Sequence, residues 1–106
     1  MMESGARDLP ELIAYQDGSI VSRQLVKTPG GSVTVFAFDA GEGLSEHTTA
    51  HEALLQVLEG AARVEIDGAE HRVGPGQIIR LPGGVPHAVQ AEERFKMLLV
   101  MVRSDV

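Results

Sequence analysis

Residues 61–81 read AARVEIDGAEHRVGPGQIIRL and contain the clearest evidence for the architecture. From Ala62 to Ile66 apolar and charged side chains alternate, which is the pattern of a half-buried β-strand. Asp67-Gly68 follows, a dipeptide suited to a type I′ turn because both residues tolerate positive φ. Two further strands are predicted at 69–73 and 77–81, separated by a Gly-Pro-Gly turn. This stretch therefore predicts short strands joined by tight turns.

The same pattern extends in both directions along the chain. Its 12 glycines and 5 prolines separate short apolar runs, and the one helical turn is expected within residues 8–14. Strands are predicted at residues 20–27, 32–39, 47–59, 61–66, 69–73, 77–81, 86–91 and 95–103. Residues 40–46 are predicted as a loop. Eight or nine short strands without a long helix are typical of an all-β sandwich, barrel or jelly roll.

The length of the chain limits how its domains can be organised. At 106 residues there is room for one hydrophobic core. We expect an N-terminal segment, partly disordered, at residues 1–14 and a β-barrel domain at residues 15–106. Because a core of this size is modest, association into a homodimer is an attractive source of extra stability.

Composition excludes several classes of function. The formal net charge of −6 and the absence of a basic run argue against a nucleic-acid partner or an anionic membrane surface. The absence of cysteine excludes disulfides, zinc-thiolate sites and thiol nucleophiles. No apolar run reaches the length of a membrane span, and the polar first residues do not resemble a signal peptide. We therefore expect a cytoplasmic location.

Three of the four histidines form the candidate site. His47 and His51 lie four residues apart, and this even offset would place them on one face of a continuous strand. His87 lies on a later strand, and in a closed β-structure distant strands direct side chains toward one interior point. Three imidazoles suit a divalent transition metal, such as zinc, nickel, iron, manganese or copper. The sequence predicts a metal site at His47, His51 and His87.

The spacing around His47 resembles the first motif of the cupin superfamily, G-x5-H-x-H-x3-E-x6-G. In this register the positions are occupied by Gly41, His47, Thr49, Ala53 and Gly60. Threonine thus stands where cupins have their second histidine, and alanine stands where they have glutamate. Because of these two departures, His51 is the candidate to replace a missing ligand. Glu52 has the opposite parity to His47, so its side chain is expected to point away from the site. Gln56 also lies off the inward register.

The second cupin motif, G-x5-P-x-G-x2-H-x3-N, matches at Gly76, Pro82, Gly84 and His87, with Ala91 in place of asparagine. The resemblance implies a double-stranded β-helix, that is, a jelly-roll barrel. It also implies a metal held by His47 and His87, and a homodimer. Cupins catalyse dioxygenation, isomerisation and decarboxylation of small oxygenated molecules, so a small-molecule ligand of that class is expected. Nothing in the sequence selects one of these reactions.

Several alternatives stay open. The histidines could be hydrogen-bonded residues without a metal, and the protein a non-enzymatic module that binds or senses a small ligand. His51 could lie at the rim, and His71 is expected to be structural. Met97 and Met101 share the parity of Leu99, so they either fill the core or line an apolar ligand pocket.

Overall fold

The computed structural model describes residues 2–104, and within this range nine strands and one short 3-10 helix, Leu9–Leu12, form. No helix in this part of the chain is long and apolar enough to cross a membrane. In chain order the strands are β1 Ile20–Thr28, β2 Gly31–Phe38, β3 Gly43–His47, β4 Glu52–Glu59, β5 Ala62–Ile66, β6 Ala69–Val73, β7 Ile78–Leu81, β8 His87–Gln90 and β9 Phe95–Val102.

The strands form two antiparallel sheets. The five-stranded sheet has the order β1-β2-β9-β4-β7, and the four-stranded sheet has the order β3-β8-β5-β6. From β2 to β9, consecutive strands alternate between the two sheets except at the β5–β6 hairpin, so the two sheets enclose one interior. This architecture confirms the predicted all-β jelly-roll barrel.

The predicted hairpin at Asp67-Gly68 is confirmed in detail. β5 and β6 pair antiparallel, with Ile66 opposite Ala69. The φ angles are +50° at Asp67 and +82° at Gly68. Positive φ at both central residues defines the type I′ turn, whose twist matches that of the flanking strands.

The prediction for residues 40–59 is wrong in two respects. Residues 43–46, expected within a loop, form β3 together with His47 and pair with β8. The expected single run 47–59 is interrupted, because residues 48–51 leave β3 and the chain restarts as β4. The physical reason is topological: β3 and β4 belong to opposite sheets. The chain must cross between the sheets at 48–51, and no glycine or proline there signals the crossing.

Two apolar clusters stabilise the fold. The larger one lies between the sheets and includes Phe38 and Phe95, which are fully buried and stacked with ring centroids 4.5 Å apart. The second cluster covers part of the outer face of the five-stranded sheet, where Leu12 and Ile13 pack with Val35 and other residues. Part of the N-terminal segment therefore packs against the barrel. Residues 1, 105 and 106 of the two predicted domain ranges lie outside the described residues, and the boundary at 14/15 stays a prediction.

Candidate functional site

The structure brings His47 and His87 together at one position between neighbouring strands. They are direct Cα partners across β3 and β8. Their ring centroids lie 4.4 Å apart with an interplanar angle of 66°, an edge-to-face arrangement. The two side chains come from positions forty residues apart in the sequence, as the closed β-structure led us to expect.

Both rings are oriented by their own backbone. Nδ1 of His47 lies 2.9 Å from the carbonyl oxygen of Ser45, and Nδ1 of His87 lies 3.3 Å from that of Val85. A carbonyl oxygen only accepts hydrogen bonds, so each Nδ1 carries the proton in the neutral ring. Each Nε2 then keeps its lone pair, which is the form of imidazole that binds a metal or accepts a proton.

A small, mostly apolar cavity lies beside the histidine pair. Its volume is about 40 Å³, enough for about three water molecules but far below the ~300 Å³ of a typical small-molecule pocket. Both sheets contribute to its lining, which consists of Leu44, His47, Thr49, Ala53, Leu55, Leu81, His87, Val89, Met97, Leu99 and Met101. His87 is buried at 7% exposure and His47 is exposed, so the pair extends from the interior to the surface.

Burial changes the acid–base behaviour of the inner ring. It lowers the pKa of His87 below 6.5, because the charged imidazolium loses water contacts. Repulsion from His47 lowers this pKa further, whereas the contact with the Val85 carbonyl opposes the shift. His87 is therefore held neutral at physiological pH, with its Nε2 lone pair available.

The structure does not bring His51 to the pair. The prediction that it shares a face with His47 is wrong, because the alternation of side chains holds only along a continuous strand and β3 ends at His47. His51 instead lines a separate groove, where its Nδ1 accepts a hydrogen bond of 3.4 Å from the backbone N–H of Ser104. Among residues 2–104, no group of three histidine or carboxylate side chains is placed to hold one metal ion.

The two departures from the cupin motif lie beside the pair. Thr49 and Ala53 both line the cavity, so an imidazole and a carboxylate at these positions would face it. Glu52, as its parity suggested, is used elsewhere. It accepts hydrogen bonds of 2.6 Å from the Arg80 side chain and from the backbone N–H of Gly83.

The remaining candidates separate into lining and non-lining residues. Met97 and Met101 line the cavity together with Leu99, so the apolar stripe of β9 serves both the core and the cavity. His71 is exposed on β6 and does not line the cavity. Gln56 pairs with Leu98 and Ile78 and is absent from the lining as well.

Sequence reasoning missed part of the lining. Val89 could have been found, because it lies two residues after His87 on the same strand face. Leu44 lies at an odd offset from His47 and reaches the cavity because the β3–β8 register shifts between these two residues. No local sequence signal marks this irregularity.

Comparisons with known proteins agree with the fold. A structure of a conserved protein of unknown function from Streptococcus pyogenes has a TM-score of 0.93 and 34% identity, covering 100% of this chain and 93% of that one. A cupin 2 conserved barrel domain protein from Leptotrichia buccalis has a TM-score of 0.87 and 43% identity over 90% of this chain. The match spans 46% of the Leptotrichia protein, so this chain corresponds to about half of it.

One more distant match is the structure of an enzyme. A variant of salicylate 1,2-dioxygenase from Pseudoaminobacter salicylatoxidans, in complex with gentisate, has a TM-score of 0.73 and 21% identity, covering 78% of this chain and 25% of that one. At this identity the likeness shows the fold alone. No curated protein matches the chain. The family model described as the cupin domain matches residues 34–103, and the chain therefore belongs to the cupin domain family.

Proposed function

We propose that this cupin binds a small oxygenated molecule at the His47–His87 pair, together with a divalent transition metal ion. The observation that carries the proposal is the orientation of the two rings. Both Nδ1 atoms face backbone carbonyls, so both Nε2 lone pairs remain for a ligand beside an apolar cavity. This arrangement is the one that metal-binding histidines adopt when their second nitrogen is fixed by an acceptor.

The donor set fits a metal only in part. Catalytic zinc sites commonly use three protein ligands, and here two imidazoles converge while Thr49 and Ala53 supply neither an imidazole nor a carboxylate. We therefore expect weak metal binding by the protein alone, with oxygen atoms of the small molecule completing the coordination. Zinc, nickel, iron, manganese and copper all accept imidazole nitrogen. When bound, such an ion would polarise an oxygen of the ligand as a Lewis acid.

The residues of the chain define what the site can do around the ligand. The backbone contacts of both rings fix their orientation, and Leu55, Met97 and Val89 give the cavity beside them an apolar lining. Among the described lining residues there is no carboxylate or amine, so the two imidazoles are the groups that can accept a proton. Dioxygenation, isomerisation or decarboxylation of a small oxygenated molecule are the reactions that family membership suggests.

A second candidate function is a non-enzymatic module that binds or senses a small ligand. It is favoured by the same two substitutions, because Thr49 and Ala53 leave the cavity without a carboxylate to act as general base. Oxygen uptake separates one enzymatic reaction, dioxygenation, from binding. Protein loaded with Fe²⁺ would be given gentisate and catechol in an oxygen electrode. Uptake that is lost in His87→Ala supports a dioxygenase, whereas saturable binding without uptake or product formation supports the module.

The metal proposal itself is tested by calorimetry with Zn²⁺ and Ni²⁺ on protein stripped with a chelator. We expect one weak site in the parent protein, loss of that site in His47→Ala and His87→Ala, and retention in His51→Ala. Retention of the same affinity in both the His47→Ala and the His87→Ala variants would exclude the pair as the metal site.

We also propose that the protein is a homodimer joined through the outer face of the five-stranded sheet. Leu54, Ile78 and Val102 lie on this face and are 40%, 58% and 52% exposed, a cluster of apolar surface that a second copy would cover. Light scattering should give twice the monomer mass, and Leu54→Glu should give the monomer. A monomeric parent protein would contradict this.

The expected cytoplasmic location and the expected lack of nucleic-acid and membrane partners stay predictions.

A further inference from the structure

A second concave surface lies at the mouth of the barrel, next to the histidine cavity. This groove, which we call the mouth groove, has a volume of about 340 Å³, within the range of small-molecule pockets. Its lining includes Gln24, Lys27, Ser32, His51, Met101 and Arg103. Met101 also lines the histidine cavity, so its side chain borders both spaces.

The strand register shows how the groove continues into the cavity. Lys27, Ser32, Met101 and Ala53 are successive Cα partners across β1, β2, β9 and β4, so they form one row on the inner face of the five-stranded sheet. The row is polar at the β1 end and apolar where it reaches the cavity. Neighbouring strands are about 4.8 Å apart, so Lys27 lies about 10 Å from Met101 along this row.

The polar end of the row offers hydrogen-bond donors without partners. Within residues 2–104, the side chains of Lys27, Gln24 and Ser32 make no hydrogen bond or ion pair. His51 accepts at Nδ1 from Ser104, so its neutral ring carries the proton on Nε2 and is a donor. No carboxylate is among the described lining residues of the groove, although the chain as a whole has a net charge of −6. The Lys27 ammonium together with these neutral donors forms a local site that attracts an anion on an acidic protein.

We propose that the mouth groove binds the carboxylate of a small organic acid whose apolar body extends past Met101 toward the histidine cavity. The ammonium of Lys27 pairs with the carboxylate, and the hydroxyl of Ser32 and the ring of His51 donate hydrogen bonds to it. Met101 has a flexible, unbranched side chain, so it can move aside for the apolar body. The proposal rests on the proposed function in that the acid is the ligand of the same cavity. The carboxylate site itself requires no metal.

The test follows the methionine methyl groups by NMR in chelator-treated protein labelled with [methyl-13C]methionine. Met101→Leu assigns the Met101 signal. Hexanoate has a flexible apolar chain that can contact Met101 from a carboxylate held by the Lys27 side chain, and hexanamide is its neutral analogue. We expect hexanoate to shift the Met101 methyl in a saturable way and hexanamide at the same concentrations to leave it in place. Lys27→Glu should weaken hexanoate binding roughly five- to tenfold.

The control is Arg72→Glu, which makes the same change in net charge at an exposed cation on β6 outside the groove. We expect it to change hexanoate binding less than twofold, with unchanged thermal melting in both variants. Equal shifts with hexanoate and hexanamide, or equal weakening by both variants, would overturn the carboxylate site. Displacement of hexanoate by inorganic phosphate at equal concentration would overturn the organic acid in favour of an unspecific anion site. Because the titration contains no metal, failure of the metal proposal leaves its result unaffected.

Discussion

His47 and His87 face each other directly across β3 and β8, with their ring centroids 4.4 Å apart and each Nδ1 against the carbonyl two residues earlier in its own chain segment. This relationship converts two separate sequence positions into one pair of nitrogen donors. The crossing of the chain at residues 48–51 then carries His51 away from the pair.

The first prediction concerns the pH dependence of stability. Burial lowers the pKa of His87 in the folded protein below its unfolded value of 6.5. Between these two pKa values the unfolded chain binds more protons, so stability is full above pH 6.5 and falls as pH decreases through the window. In His87→Gln, the urea concentration at the midpoint of unfolding should change less between pH 7.5 and 5.5 than it does in the parent protein, with chelator present. His71→Gln, at an exposed position, should follow the parent curve. Parallel curves for all three proteins would contradict the assigned burial effect.

The second prediction concerns the last glycine of the first cupin motif. A Cβ at Gly60 would lie 2.2 Å from the carbonyl oxygen of Arg94, at a backbone φ of +72°. Gly68 has a similar φ of +82° but open space around it. We expect Gly68→Ala to reduce the free energy of unfolding by about 1–2 kcal/mol and Gly60→Ala by more than about 4 kcal/mol, measured by urea denaturation. Equal losses would show that the close approach of Arg94 is unimportant.

The third prediction concerns the N-terminal segment. Leu12 is 5% exposed in the cluster on the outer face of the five-stranded sheet. Leu12→Ala should lower the free energy of unfolding by about 2–3 kcal/mol, since it removes buried methyl groups and leaves a cavity. The neighbouring exposed Glu11 is the control, and Glu11→Ala should change the free energy of unfolding by less than about 0.5 kcal/mol. An unchanged free energy of unfolding in Leu12→Ala would mean that the segment does not stabilise the domain.

The fourth prediction restores a ligand. Thr49 occupies the position of the second motif histidine and lines the cavity with His47 and His87. Thr49→His should raise zinc affinity by roughly tenfold or more, because three protein ligands then replace two. Calorimetry with Zn²⁺ measures the change, and Thr49→Val is the matched control without a nitrogen donor. Unchanged affinity in Thr49→His would indicate that zinc binds elsewhere.

The sequence was sufficient for the fold because its strongest signals are local. The Asp67-Gly68 turn and the alternation beside it define the β5–β6 hairpin without long-range information. The spacing of the two motifs was enough to predict that His47 and His87 lie close together. The sequence could not place His51, because whether residues 48–51 continue a strand is determined by which sheet each neighbouring strand joins. The sequence could not predict the cavity beside the pair either, since its lining comes from side chains of both sheets.

The most direct test of the histidine pair is the imidazole 15N NMR spectrum recorded at pH 7.5 during titration with Zn²⁺. Before zinc is added, His47 and His87 should both be protonated at Nδ1. During the titration their two Nε2 signals should shift together over the same zinc concentrations, while His51 and His71 stay unchanged. A shift of His51 with either of them, or a response of His47 without His87, would contradict a shared site.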